Sequence, residues 1–208
     1  MVNFVIISFI ITLIYIAKIE MVKSYYPLMA AQGVLLFILS FLELSETSAL
    51  QLILILFETL IFKAIFVPLF LQAITKGRAH RHQHSPVKGY YSLLLALALI
   101  VASFVISHQM HEEFLDVKYF TAATSSIFIG LFIAINNRDL VTHLIAYLVI
   151  ENGIFPLSIA LGGEMPMFVN SAILLDIFTS VLIMGLVFNR LKDHFESTDA
   201  THLSQLKD

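Results

Sequence analysis

An all-α, polytopic membrane fold with seven transmembrane helices is what this 208-residue chain predicts, and three observations carry that expectation. The composition is 59% hydrophobic and 13% charged, with a mean hydropathy of +0.89, whereas soluble chains carry about 25% charged residues. The few charges fall almost entirely in short gaps between apolar runs of about 20 residues, the length that spans a bilayer as a helix. The Lys and Arg residues in those gaps also alternate strongly between the two sides that a serpentine path would define.

The runs follow in order. Residues 2–19 open the chain with no basic residue ahead of them and no small-residue cleavage site behind, so they read as a retained helix and not as a removable signal peptide. The next runs are 25–42, 49–74, 90–107, 119–135, 141–161 and 168–188. The gaps hold Lys18 and Lys23, then Glu43 and Glu46, then Lys76, Arg78, Arg81 and Lys88, then Glu112, Glu113, Asp116 and Lys118, then Arg138, then Glu164. Residues 1–188 thus form a transmembrane domain, and 189–208 a short cytoplasmic tail.

Basic residues are retained on the cytoplasmic side during insertion. Seven helices put Lys18, Lys23, Lys76, Arg78, Arg81, Lys88, Arg138, Arg190, Lys192 and Lys207 on one side, Lys118 alone on the other, and Lys63 inside a helix. A wrong helix count would scramble that partition. The expected orientation is therefore an outside amino terminus and an inside carboxyl terminus.

Several function classes drop out. The apolar blocks leave no soluble enzyme core, and no basic patch for nucleic acid. The chain has no cysteine, so thiol catalysis, disulfides and thiolate ligation of iron-sulfur or nickel-iron centres are excluded within it. The only sizeable hydrophilic stretches are 75–89 and the tail, too short for a nucleotide-binding or catalytic head. The chain is expected to hold no cofactor and no metal of its own, and its chemistry lies between the helices.

Ionisable residues in that setting are the candidate site. Placing one at the bilayer centre costs about 2.5 to 3.5 kcal/mol on insertion scales, yet Glu58, Lys63, Glu151 and Asp176 all fall in mid-run. At ~1.5 Å per residue, Glu151 lies about 15 Å into its helix and Asp176 about 12 Å into the next. His143 lies about 12 Å from Glu151 toward the cytoplasmic end. Three acids and one base would leave a net charge of about −2 in low dielectric, so at least one carboxyl is expected to be neutral. Glu58 and Lys63, five apart, would stand about 140° apart on an α-helix, which leaves Lys63 to face Glu151 or Asp176.

Pro68 and Pro156 add a pattern. Each lacks the N–H that would bond four residues back, which frees the carbonyl of Ala64, just after Lys63, and that of Asn152, just after Glu151. A freed carbonyl needs water, a hydroxyl or a neighbouring helix, and a hydrated pocket beside an ionisable group is what an ion path requires. With Gly153, these residues support helix breaks next to the charges. The bland alternative is a set of buried polar pairs that fix helix packing and move no ion.

Other features are weaker. His80, His82 and His84 mix with Arg78 and Arg81, which oppose cation binding; Lys76 to Lys88 suit anionic lipid headgroups. His108 and His111 adjoin Glu112 and Glu113. Thr121, Thr124, Ser125 and Ser126 are small hydroxyl residues of the kind that permit close helix packing. Glu58-Thr-Leu-Ile-Phe and Glu151-Asn-Gly-Ile-Phe are alike in runs of opposite direction, as in inverted repeats, though a match this short arises readily by chance. The final run has no Lys for a retinal Schiff base, and the chain has no Trp.

Lys63-x4-Pro68-Leu69, Glu151-Asn152-Gly153 and Asp176-Ile177-Phe178 before a basic end resemble the hydrogenase-4 component E family, over most of the chain. That family is a multi-helix membrane subunit of hydrogenase and formate-hydrogenlyase complexes related to respiratory complex I. Residues 119–188 are also similar to the three-helix NuoK-type (chain 4L) subunit of complex I, with Glu151 matching the first of its two buried glutamates and Asp176 near the second. Glu58 has no counterpart in the pattern. The resemblance implies a bacterial or archaeal inner-membrane subunit, lying among antiporter-like and NuoH-like subunits and reaching a peripheral redox arm through them. It also implies a part in coupling electron transfer to proton or sodium movement. On this expectation Glu58, Glu151 and Asp176 exchange protons, Lys63 sets their proton affinities by approach or withdrawal, and His143 leads to cytoplasmic water. Two other readings remain: a non-conducting assembly scaffold for antiporter-like subunits, and an independent small-solute carrier.

Overall fold

The structure, a computed structural model, describes residues 1–43, 56, 58–75, 87, 89–110 and 116–161. Asp176 and the seventh apolar run therefore lie outside the described residues, as do His80, His82, His84, His111, Glu112 and Glu113. Everything described belongs to one compact unit, Met1–Ile173.

Every regular element among the described residues is helical. The first, α1 (Val2–Lys18), buries Val5, Phe9, Leu13 and Ile16, a stripe at the three-to-four spacing that brings one helix face inward. A 3-10 turn, Val22–Ser24, leads into α2 (Tyr25–Glu43). A π-helical segment, Glu58–Phe66, runs directly into α3 (Val67–Ile74). Then come α4 (Tyr90–Gln109), α5 (Val117–Asn136) and α6 (Leu140–Leu161).

Four helical stretches, Val22–Glu43, Tyr90–Gln109, Val117–Asn136 and Val141–Leu161, are long and apolar enough to cross a membrane; Val2–Lys18 and Thr59–Ala73 are shorter apolar helices. Burial separates centre from periphery: the apolar windows of α5 and α6 are each 61% buried, that of α4 only 22%. On α4 the buried positions include Ser92, Ala96, Ser103 and Ser107, while Leu94, Leu97, Val101 and Phe104 are exposed. Small residues inward and large apolar ones outward are the reverse of a soluble helix. They suit a helix whose far side meets hydrocarbon.

The helix ends fix the directions. At one end of the unit the Ser92 hydroxyl donates to the Ala17 carbonyl at 2.5 Å, and Tyr26 and Thr75 share a hydrogen bond. There, too, the Asn136 side chain both accepts from the Val87 amide at 2.9 Å and donates to its carbonyl at 2.8 Å. At the other end Tyr119 donates to Glu43, and the Asp116 amide donates to the Ala160 carbonyl at 3.4 Å. The closing turn of α1 thus meets the opening of α4, the opening of α2 meets the close of α3, and the close of α2 meets the opening of α5. Successive helices run in alternate directions.

Glycines let the helices approach. A β-carbon at Gly153 would come within 2.7 Å of the Ser126 Cβ and 2.9 Å of the Ala123 carbonyl oxygen, which brings α6 against α5. There Ser126 donates to the Val149 carbonyl at 2.6 Å. The hydroxyls of Thr121 and Thr124 bond back to carbonyls four residues earlier in their own helix.

Candidate functional site

Lys63 and Glu151 face each other across the gap between the π segment and α6, with Nζ 3.9 Å from Oε1 and both side chains 6% exposed. Each stands eleven residues from the helix end nearest Lys18 and Arg138, Ile74 for Lys63 and Leu140 for Glu151, hence at about the same depth, ~16 Å. Two unit charges 4 Å apart attract by about 4 kcal/mol at an effective dielectric of 20. Removing either partner alone takes that attraction from a charge that stays buried, which is costly. Glu58 and Asp176, which complete the expected net negative sum, have side chains outside the described residues.

The backbone under Lys63 departs from expectation. The run containing Lys63 and Pro68 was expected to be α-helical with a single opened carbonyl at Ala64; instead all of Glu58–Phe66 is π-helical. Pro68, at the start of α3, can donate no hydrogen bond and crowds the carbonyl four residues earlier, and wider turns before it relieve that crowding. A π turn closes an i→i+5 bond, so positions 58 and 63 lie about one turn apart and not 140° around the helix. The side chain of Glu58 lies outside the described residues. Single π turns occur often at functional sites.

Next to the charged pair runs a chain of amides and a hydroxyl. Asn152 Nδ2 donates to Gln32 Oε1 at 2.9 Å, Gln32 Nε2 donates to Thr12 Oγ1 at 3.1 Å, and Thr12 Oγ1 donates to the Phe9 carbonyl at 2.6 Å. Gln32 is fully buried. The chain joins α6, α2 and α1 through the residue that follows Glu151. Sequence reasoning singled out Asn152 but missed Gln32 and Thr12, because uncharged polar residues in an apolar run do not register in a search for charges. The adjoining Gly33 was the usable signal: the π segment packs there, with the Ala64 nitrogen 2.5 Å from where its β-carbon would stand.

The remaining site residues are placed differently. Gly153, as noted, faces α5. His143 is exposed, its Nδ1 2.9 Å from the carbonyl oxygen of Asp139, and it is not part of the buried group. Pro156 is buried within α6 and borders a cavity. The cavity, about 10 Å³, is lined by apolar side chains including Val5, Phe9, Leu36, Leu39 and Ala122. Among the described residues no group of His, Asp and Glu has the arrangement of a metal site, and His108 stacks on Phe104 at 6.2 Å.

Chemically, a buried ammonium and carboxylate this close can pass between an ion pair and a neutral pair by moving one proton. The hydrogen bond from Asn152 to Gln32 ties α6 to α2 beside that pair.

No family model matches the chain, and no solved structure matches it. It is similar to the uncharacterized protein Rv0085 of Mycobacterium tuberculosis (strain ATCC 25618 / H37Rv), with 25% identity over 190 residues that cover 89% of this chain and 86% of the relative.

Proposed function

We propose that this chain is a membrane subunit of a complex I-like, hydrogenase-related, redox-driven ion pump, and that it contributes buried charges to proton or sodium translocation. The observation that carries the reading is the Lys63–Glu151 pair, 3.9 Å apart between two helices and shielded from solvent. Ionisable residues inside a bilayer are costly and are by default functional. The alternating helix directions, and the presence of Lys18, Lys23 and Arg138 at one end against Lys118 at the other, support a seven-span topology with the amino terminus outside, in a bacterial or archaeal inner membrane. In this reading the partners are antiporter-like and NuoH-like subunits, and the redox centres belong to them and to the arm they carry.

In the proposed cycle the pair alternates between charged and neutral states as a neighbouring subunit shifts Lys63 toward or away from Glu151, with Asp176 and Glu58 as the next carriers. The π segment gives Lys63 a backbone that can change its turn. The test is ion pumping in membrane vesicles bearing the whole complex. Glu151→Gln and Lys63→Ala abolish pumping while the complex still assembles; normal pumping in both variants sinks the proposal. Loss of assembly before any loss of coupling favours the scaffold, and substrate binding by the isolated chain favours the carrier. Repeating the assay with and without sodium separates the two ions.

A further inference from the structure

We infer that the apolar cavity beside Pro156 is a hydrophobic gate on the path from the Lys63–Glu151 pair, and that Glu43, held by Tyr119, is the proton-accepting group beyond it. The inference rests on the proposed ion-translocating role and adds to it the direction of one half-path and the group at its end.

Four helices agree on where the cavity lies. On α2, Gln32 belongs to the polar chain, Leu35, Leu36 and Leu39 line the cavity, and Ser40 and Glu43 follow. On α6, Asn152 is in the chain, Pro156 lines the cavity one turn later, and the Ala160 carbonyl accepts from Asp116 at the end. On α1, Thr12 is in the chain and Val5, Ile6 and Phe9 line the cavity toward the amino terminus. On α5, Tyr119 stands at the end and Ala122 lines the cavity one turn inward. On α2 the cavity therefore lies between the buried polar chain and Glu43, and on α5 it lies one turn inward of Tyr119.

Its chemistry is that of a gate. A water needs about 10 to 15 Å³ and two to four polar partners. This cavity, about 10 Å³ and lined by aliphatic and aromatic groups, is at the lower limit of size and supplies no polar side chain. None of the side chains that line it can hold water at rest, so the gate stays dry and closed; apolar constrictions of this kind open by wetting. On opening, a file of waters links the pair to the far end. A proton leaves the Lys63–Glu151 unit, passes along that file and is taken up by the Glu43 carboxylate, which is exposed to solvent while Tyr119 is buried. Ser40, fully buried on the same face, lies between them.

The chain has no cysteine, so single cysteines report water directly. Vesicles carrying the whole complex are treated with a water-soluble thiol reagent. Glu43→Cys is expected to react, and Leu36→Cys to react at least roughly tenfold more slowly, because a thiol in apolar surroundings stays protonated. Equal rates at the two positions show a wet cavity and overturn the gate. In a second arm an imposed pH gradient is followed with a dye. Leu36→Ser and Leu39→Ser each collapse it faster than wild type, Leu36→Ile does not, and Glu151→Gln added to either serine variant restores the slow rate. A leak that persists with Glu151→Gln overturns the assignment of the gate to this path. If pumping survives Glu151→Gln and Lys63→Ala, the ion-pump reading fails by itself, while the labelling contrast still reports whether the cavity is dry.

Discussion

Gly33 on α2 lies directly against the backbone of Ala64, so that a β-carbon at position 33 would stand 2.5 Å from the Ala64 nitrogen and 2.6 Å from its Cα. Backbone atoms cannot swing aside as a side-chain tip can. The absence of a side chain at 33 therefore sets the distance between α2 and the π segment, and with it the reach of Lys63 toward α6. Gln32, the residue before it, is thereby brought level with Asn152.

Gly33→Ala is expected to destabilise the chain by about 1 to 3 kcal/mol, the range for forced overpacking, and to weaken the Lys63–Glu151 contact by moving Lys63 outward. Val34→Ala, on the exposed side of α2, is the control. Thermal unfolding of the purified chain in detergent reads the difference. A Gly33→Ala protein as stable as the control would mean that the two helices are not in contact there.

The amide bridge between Gln32 and Asn152 calls for a double-mutant cycle. Gln32→Leu or Asn152→Leu alone leaves one buried amide without its partner, at about 1 to 3 kcal/mol. Both together remove the need for either. Interhelical hydrogen bonds in membranes average about 0.6 kcal/mol by such cycles, with a maximum of about 1.7, so the coupling energy should fall in that interval. Additive single effects would show that the 2.9 Å bond contributes nothing in the folded chain.

The helical class and the positions of the runs among the described residues were legible because burying a backbone in hydrocarbon demands long apolar helices, a signal that survives any detail of packing. Lys63 and Glu151 were legible for the complementary reason: a charge in an apolar run stands out whatever surrounds it. The π segment was not legible, since Pro68 announces a disturbance but α and π turns bury the same residues. Nor was the apolar lining of the cavity beside Pro156, because the neighbours that form it, Val5 and Phe9 of α1 and Leu36 of α2, come from distant parts of the sequence.

The charged pair makes a prediction that separates stability from function. Replacing only Lys63 or only Glu151 by an apolar residue of similar size takes this contact from a charge that stays buried, at up to about 3 to 5 kcal/mol, whereas replacing both with well-packed apolar residues is often neutral or stabilising. Lys63→Met with Glu151→Leu should therefore recover much of the stability lost in either single variant and assemble normally, yet remain unable to pump. A double variant that pumps would remove the pair from the mechanism. One that fails to assemble while Glu151→Gln assembles would point to packing.

The alternation of helix directions sets the last expectation, which concerns sidedness. The hydrogen bonds from Ser92 to Ala17 and between Asn136 and Val87 gather the ends of α1, α4 and α5 on one side, together with Lys18, Lys23 and Arg138. Tyr119 with Glu43, and Asp116 with Ala160, define the opposite side, where Lys118 pairs with Asp116 at 3.2 Å. Retention of basic residues in the cytoplasm then puts Ser24 and Arg138 inside and Asp116 outside. In intact cells an impermeant thiol reagent should label Asp116→Cys and spare Ser24→Cys and Arg138→Cys, and in inverted vesicles the pattern should reverse. Labelling of all three from one side contradicts the alternating path, because the contacts that join α2 to α5 and α5 to α6 at the Glu43 end could not then lie across the bilayer from those at the Ala17 end. A clean but opposite pattern would keep the fold and invert its insertion, leaving Glu43 and the gate before it on the cytoplasmic side.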